Sequence, residues 1–169
     1  MPSDNALAIV PAEPTRLRVL SCNILAGGSV RNYREYVTHS WKHVVPVGKR
    51  ANLDGLAGLL GDYDMVALQE ADFGSLRSGF LNQTQYLAEA AGFPYWTHQP
   101  NRRMAKVATS SNGLLARLRP SEIIDYPLPG RIRGRGALWA RFGDGRDSLV
   151  VVVAHLSLGP TARAAQLGY

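Results

Sequence analysis

The chain has 169 residues, 46% hydrophobic and 19% charged, which fits one globular domain and exceeds the size of a peptide or a disulfide-stapled miniprotein. Its single cysteine, Cys22, rules out an internal disulfide and lacks the paired spacing of structural zinc, which favours a reducing compartment. The net charge of +6 is local: residues 101–146 carry ten Lys or Arg against three acids and the rest nine against ten, a pattern that suits an anionic partner or a solvated basic face.

Residues 1–15, with Pro2, Pro11 and Pro14, are expected to be a disordered tail before one domain over 16–169. No run of eighteen apolar residues occurs, and no basic segment precedes the short apolar run of the tail. Neither a membrane span nor a secretory signal is therefore expected, and the expected address is cytoplasmic. LRVLSCNIL (17–25) is short, apolar on both parities and followed by Gly27-Gly28, the pattern of a central strand covered on both faces. Leu53, Leu56, Ala57 and Leu60 recur at the spacing of one helical face, and Gly61 can end that helix. MVALQE (65–70) is the next strand; a second helix is expected over 83–91, ended by Gly92 and Pro94, and 95–99 reads as a strand. The second half is strand-rich: 113–118, 123–128, 137–142 and 148–156, with Gly143-Asp144-Gly145 as the turn between the last two. The run Val150 to Ala154 is apolar on both parities and is expected to be buried on both faces, and Trp96 and Trp139 are expected in the core. Gly159-Pro160-Thr161 opens a final helix, with Thr161 as its expected N-cap.

Three polar residues stand at the ends of apolar strands: Asn23, Glu70 and His155. Strand ends present functional groups from a rigid backbone into a crevice. A carboxylate, an amide oxygen and an imidazole suit a hard cation and a phosphate, with Glu70 as an oxygen ligand, Asn23 orienting the ligand and His155 donating to a phosphoryl oxygen. Taken singly, each has a structural reading as well: a hydrogen-bonded strand-end His, a solvated Glu, a turn-forming Asn. Arg131, Arg133 and Arg135 alternate with glycines, and Arg102, Arg103 and Lys106 precede the strand of Asn112, so both basic loops suit phosphate. Tyr33, Tyr36 and Trp41, with His39 and His43, form either a substrate-binding loop or packing at the domain edge.

The segments around these residues form an ordered set. LRVLSCNIL is a strand ending in Asn, and YDMVALQEAD ends its apolar run in a Gln-Glu pair. SSNGLLARLRP is similar to a Gly-Asn-Ala-hydrophobic-Leu-Ser-Arg strand, with Asn112 preceding the Gly and Ala116 in place of Ser. RGALWARF and LVVVVAHLSLGPTARAAQ are a strand pair leading to a His and then an Arg-x-x-Gln helix containing Arg163 and Gln166. Together they resemble the endonuclease/exonuclease/phosphatase family, the superfamily of DNase I. The resemblance implies an α+β fold, the N-terminal portion of a DNase I-like four-layer α/β/β/α sandwich of two mixed sheets. It also implies a divalent-metal-dependent phosphoesterase using Mg²⁺ or Mn²⁺. Asn23, Glu70 and His155 would be catalytic, Glu70 and Asn23 would hold the metal, and Asn112, Arg103 and Arg135 would contact substrate.

Two motifs of that family, a Gly-Asp-Phe-Asn strand and a terminal Asp-His, do not occur in the sequence. The one Asp-Phe pair, in Asp72-Phe73-Gly74, follows Glu70 too closely to be the first, and its likeness to a kinase motif is accidental. The expectation is a truncated domain, weak or inactive alone, whose apolar sheet surface is covered by a dimer mate or another partner. The substrate would be a nucleic acid, a phospholipid headgroup or a small phosphodiester. The alternative is a non-catalytic anion- or nucleic-acid-binding remnant.

Overall fold

Strand β1 (Val19–Asn23) lies parallel to β2 (Met65–Ala71), from Val19 opposite Met65 to Asn23 opposite Gln69. Parallel strands need a crossover, and helix α1 (Lys49–Leu60) lies on it. The computed structural model describes residues 16–25, 49–104, 108–130 and 135–169. Helix α2 (Gln83–Ala90) starts at Asn82, whose side chain accepts the Gln85 N–H at 3.2 Å as an N-cap should. The hairpin of β3 (Tyr95–Met104) and β4 (Ala108–Ala116) then completes a mixed sheet of order β1-β2-β4-β3. A second, antiparallel sheet is made by β5 (Pro120–Pro127), β6 (Gly136–Phe142) and β7 (Leu149–Ala154), in that order.

Strand alternation divides the core into two layers. Val66, Leu68 and Leu115 face the helices and pack with Leu53, Ala57, Leu60, Leu87 and Phe93. Met65, Ala67, Leu114 and Ala116 face the other way, onto Leu138, Ala140, Phe142 and Val153 of the second sheet. The result is a helix layer over two stacked sheets, the sandwich expected from the sequence except that, among the described residues, the second sheet is antiparallel and not mixed; helix α3 (Pro160–Leu167) follows it. The far end is fastened by Arg117, whose guanidinium donates to the carbonyls of Gly61, Tyr63 and Gly92 and lies over the Phe93 ring at 4.7 Å. The Tyr86 hydroxyl of α2 donates to Asp54 of α1.

Several local expectations differ from the structure. β1 is an edge strand among the described residues, with Val19 52% exposed, because nothing described pairs with its far side. β7 is likewise buried on one face only: Val151 and Val153 point into the sandwich, while Val150 and Val152 are exposed on the outer face. Trp96 is 37% exposed beside His98, and Trp139 is half-buried under the Arg141 guanidinium at 5.2 Å. α3 begins at Pro160 with Gly159 as its N-cap, so Thr161 already lies inside the helix. The tail 1–15, the aromatic segment at 33–43, and Lys106, Arg131 and Arg133 lie outside the described residues.

Gly113 marks the closest approach of sheet and helix. A Cβ there would sit 2.7 Å from Thr84 Oγ1, 3.0 Å from Thr84 Cγ2 and 3.4 Å from Leu68 Cβ. Gly113→Ala should destabilise the domain by about 1–3 kcal/mol, the usual scale of overpacking. Urea unfolding checks this, and an unchanged midpoint would show that α2 moves off the sheet at little cost.

Candidate active site

β1 and β2 run parallel, so their C-terminal ends share one edge of the sandwich, and Asn23 and Glu70 arrive there together. In regular alternation Glu70 would follow Val66 and Leu68 toward the helices. It does not, because the ladder between β2 and β4 slips: Leu68 pairs with Gly113 and Ala71 with Ser111, leaving Gln69 and Glu70 both opposite Asn112. This two-against-one arrangement is a β-bulge, which bends a strand and re-aims a side chain. Glu70 takes φ 57°, the left-handed region that costs a non-glycine residue on the order of 1 kcal/mol. Its carboxylate thereby reaches the second sheet, where Oε1 lies 3.6 Å from His155 Nε2 just beyond the end of β7. Both side chains are about one quarter exposed.

At 3.6 Å the pair is too far apart for a hydrogen bond, and their attraction is electrostatic. Burial pushes the His155 imidazole below its usual value, the nearby Arg135 charge pushes it further down, and the Glu70 carboxylate only partly opposes them. Arg135 Nη1 also donates to the His155 carbonyl at 3.2 Å, fixing the backbone there. Gln166 of α3 secures the following turn: its Oε1 accepts the Ser157 N–H at 2.8 Å, and its Nε2 donates to the Pro129 carbonyl at 2.9 Å and to Ser157 Oγ. Asn23 Oδ1 accepts the Leu25 N–H at 3.0 Å, an Asx turn that leaves the second lone pair of that oxygen available. Its neighbour Gln69 donates to Ser21 Oγ at 3.1 Å. Cys22 faces the helices, and burial pushes its thiol up, so it stays protonated.

Of the expected site residues, Asn23, Glu70, His155 and Arg135 share this edge. The backbone of Arg103 pairs with Thr109, but its side chain lies outside the described residues. Asn112, expected at the substrate, is fully buried, and its amide joins the two sheets. Nδ2 is within reach of the carbonyls of Gly136 (2.8 Å) and Val153 (3.2 Å) and of Gln99 Oε1 (3.2 Å). Gln99 in turn points Nε2 at the carbonyls of Tyr126 and Ala137, both at 3.3 Å. Gln99 was missed in the sequence. Its signal is parity, because it follows Tyr95 and Thr97 on the inward side of β3, a place for an apolar residue.

Asp72 was also missed as a structural element. Two residues past Glu70 and fully buried, its carboxylate accepts the N–H groups of Gly74 and Ser75 and the hydroxyls of Ser75, Ser78 and Thr109. It joins the loop after β2 to the start of β4, holding the bulge from behind. Burial opposes its ionisation, but the hydrogen bonds from Ser75, Thr109 and Ser78 outweigh burial and hold its pKa down to about 2.

No family model and no curated protein matches the sequence. Solved structures do. An endonuclease/exonuclease/phosphatase from Beutenbergia cavernae DSM 12333 superposes with a TM-score of 0.60 at 20% identity, over 90% of this chain and 42% of its own. A family protein from Leptotrichia buccalis C-1013-b gives 0.62 at 12% identity, over 90% and 61%. ANGEL2, a 2′,3′-cyclic phosphatase, gives 0.61 at 13% identity, over 89% and 44%. The chain therefore has the endonuclease/exonuclease/phosphatase fold, and it spans 42–61% of the length of these three proteins.

Depression of the Asp72 pKa has a consequence for acid stability. Its folded value lies below the usual unfolded value of about 3.9, so its contribution is complete above pH 4 and is lost as pH falls toward 2. The size is on the order of 2 kcal/mol, from about two pKa units at 1.36 kcal/mol each. Urea midpoints measured from pH 6 to pH 2 should show this fall, and Asp72→Asn should be less stable at pH 6 with a flatter acid limb. Parallel curves for the two proteins would remove Asp72 as the brace.

Proposed function

We propose that this chain carries part of the active site of a divalent-metal-dependent phosphoesterase of the endonuclease/exonuclease/phosphatase family. The observation that carries the reading is the Glu70–His155 juxtaposition at 3.6 Å, reached through a bulge and a strained backbone. Strain of this kind persists where the surrounding structure enforces it, and it clusters at functional sites. The motif order in the sequence and the fold of the neighbours support the same reading.

The donors present fit Mg²⁺ or Mn²⁺ in kind. Glu70 offers a hard carboxylate oxygen and Asn23 an amide oxygen with a lone pair to spare. Among the described residues no three His, Cys, Asp or Glu groups cluster as a fuller ligand set, so water and substrate phosphate would complete the shell. A bound ion there would polarise the phosphoryl group and activate water. His155, neutral near pH 7 because burial and Arg135 hold its pKa down, donates an N–H to a phosphoryl oxygen rather than acting as a standing cation. Arg135 adds positive charge beside it and holds its carbonyl. The substrate class is a phosphate ester: a nucleic acid, a phospholipid headgroup or a small phosphodiester.

The test is hydrolysis of bis-p-nitrophenyl phosphate and of a nicked, abasic DNA duplex with Mg²⁺ or Mn²⁺, by the 169-residue chain and by any longer product of its gene. Glu70→Gln should abolish metal-dependent turnover while leaving the thermal midpoint nearly unchanged. His155→Ala should lower turnover by ~10² or more, the usual scale for a positioned proton-transfer group. Turnover should fall on the acid side as His155 protonates, at a pH below the ordinary imidazole value of about 6.5. Anion binding without turnover in every form, insensitive to EDTA, would instead establish the non-catalytic binding remnant.

A further inference from the structure

Gln99 and Asn112 form the buried polar seam between the two sheets, and their hydrogen bonds reach all three strands of the second: Tyr126 on β5, Gly136 and Ala137 on β6, Val153 on β7. Gln99 is 4% exposed and Asn112 not at all. Their orientation is forced. Turning the Gln99 amide over would set an oxygen against two carbonyls, and turning Asn112 over would do the same at Gly136 and Val153. The Asn112 nitrogen has two hydrogens for three acceptors, while its Oδ1 is buried with no hydrogen-bond partner. A side chain placed only to satisfy buried polarity would not leave an oxygen unpaired, since each such group costs stability.

The position of Asn112 is equally specific. It is the single β4 residue opposite Gln69 and Glu70, so it faces the bulge that redirects Glu70. Its Nδ2 reaches Val153, two residues before His155, and Gly136, next to Arg135. One residue therefore stands opposite the bulge that turns the carboxylate, and its side chain bonds the two strands adjoining the imidazole and the guanidinium.

We propose that the Gln99–Asn112 amide pair is a positioning device that sets the separation of Glu70 from His155 and Arg135 by fixing the distance between the two sheets at the site edge. The proposal rests on the phosphoesterase reading only for the chemistry of that site; the positioning itself is read without turnover. Apolar contacts between sheets permit sliding, because they are non-directional, whereas four hydrogen-bond vectors crossing from two rigid amides do not.

The experiment is a coupling measurement by NMR on the full chain. Glu70→Gln should shift the His155 ring ¹⁵N resonances in the wild-type background, and that response should fall by at least half in Asn112→Ser and in Gln99→Leu. In Leu138→Ala, which loosens the same layer without touching the amides, the response should persist. Backbone amide exchange around Ala137 and Ala154 should accelerate about tenfold or more in Asn112→Ser, and that around Phe142 and Leu149 should not. In the hydrolysis assay the two amide variants should lose kcat with KM nearly unchanged. An undiminished Glu70→Gln response in either folded variant overturns the proposal, as does an equal loss of response in Leu138→Ala. Should both amide variants fail to fold, wild-type Asn112 and Gln99 decide: protected side-chain amide protons with through-hydrogen-bond couplings to the Gly136 and Ala137 carbonyls support the device, and freely exchanging ones overturn it. If wild-type turnover is absent while the NMR responses hold, the phosphoesterase reading fails and the positioning role stands.

Discussion

Two sheets that meet through apolar side chains alone have no fixed offset. Here the offset at the site edge is set by polar geometry: the amides of Gln99 and Asn112 lie inside the sandwich and bind backbone carbonyls of β5, β6 and β7. Below them the interface is Met65, Ala67, Leu114 and Ala116 against Leu138, Ala140, Phe142 and Val153, which supplies most of the attraction between the sheets but little direction. The two contributions divide by position. Apolar burial holds the layers together, and the amides decide where the ends of β2 and β7 stand relative to each other.

The placement of Glu70 depends on a second constraint, the slip in the β2–β4 ladder. A regular strand would leave its carboxylate against the helices, in the layer of Leu68 and Leu115, where an unpaired charge is costly. The bulge moves it to the other side at the cost of a left-handed residue. That cost is sustained by Asp72, whose carboxylate gathers hydrogen bonds from Gly74, Ser75, Ser78 and Thr109 and so anchors both strands flanking the slip. Buried ions are a poor source of net stability, but one fully hydrogen-bonded ion is an effective way to specify a loop conformation. The kinase-like Asp-Phe-Gly string is thus neither a motif of catalysis nor filler: its Asp is the brace and its Gly adopts φ 107°, a conformation that favours glycine.

The element order was legible in the sequence because long apolar runs and breakers such as Gly61 and Gly92 announce strands and helix ends regardless of context. Asn23, Glu70 and His155 were legible as polar residues closing apolar strands. What the sequence hid is tertiary. Whether Val150 and Val152 are covered depends on what lies over the outer face of β7, and parity alone cannot state that. The role of Asn112 was hidden for a related reason. An Asn in a strand reads as a ligand-binding group, and only the stacking of the second sheet shows that its amide is buried against Gly136 and Val153. The bulge too has no local signature, since Gln69 and Glu70 are ordinary strand residues until β4 is set beside them with one residue too few.

The spacing of the central pair finally bears on what can enter between its members. At 3.6 Å, Glu70 and His155 do not satisfy one another by a hydrogen bond, and the imidazole's own balance of burial, Arg135 and Glu70 leaves it on the neutral side. A charged imidazole would neutralise the carboxylate and close the site as an ion pair. A neutral one leaves the Glu70 carboxylate free of an ion-pair partner there and keeps an N–H available to an oxygen. Arg135, by lowering the imidazole's affinity for a proton, preserves that division although it touches only the His155 carbonyl. The first sheet therefore presents an anion and the second a neutral donor with a cation beside it. That polarity is the one the proposed phosphoesterase reading calls for.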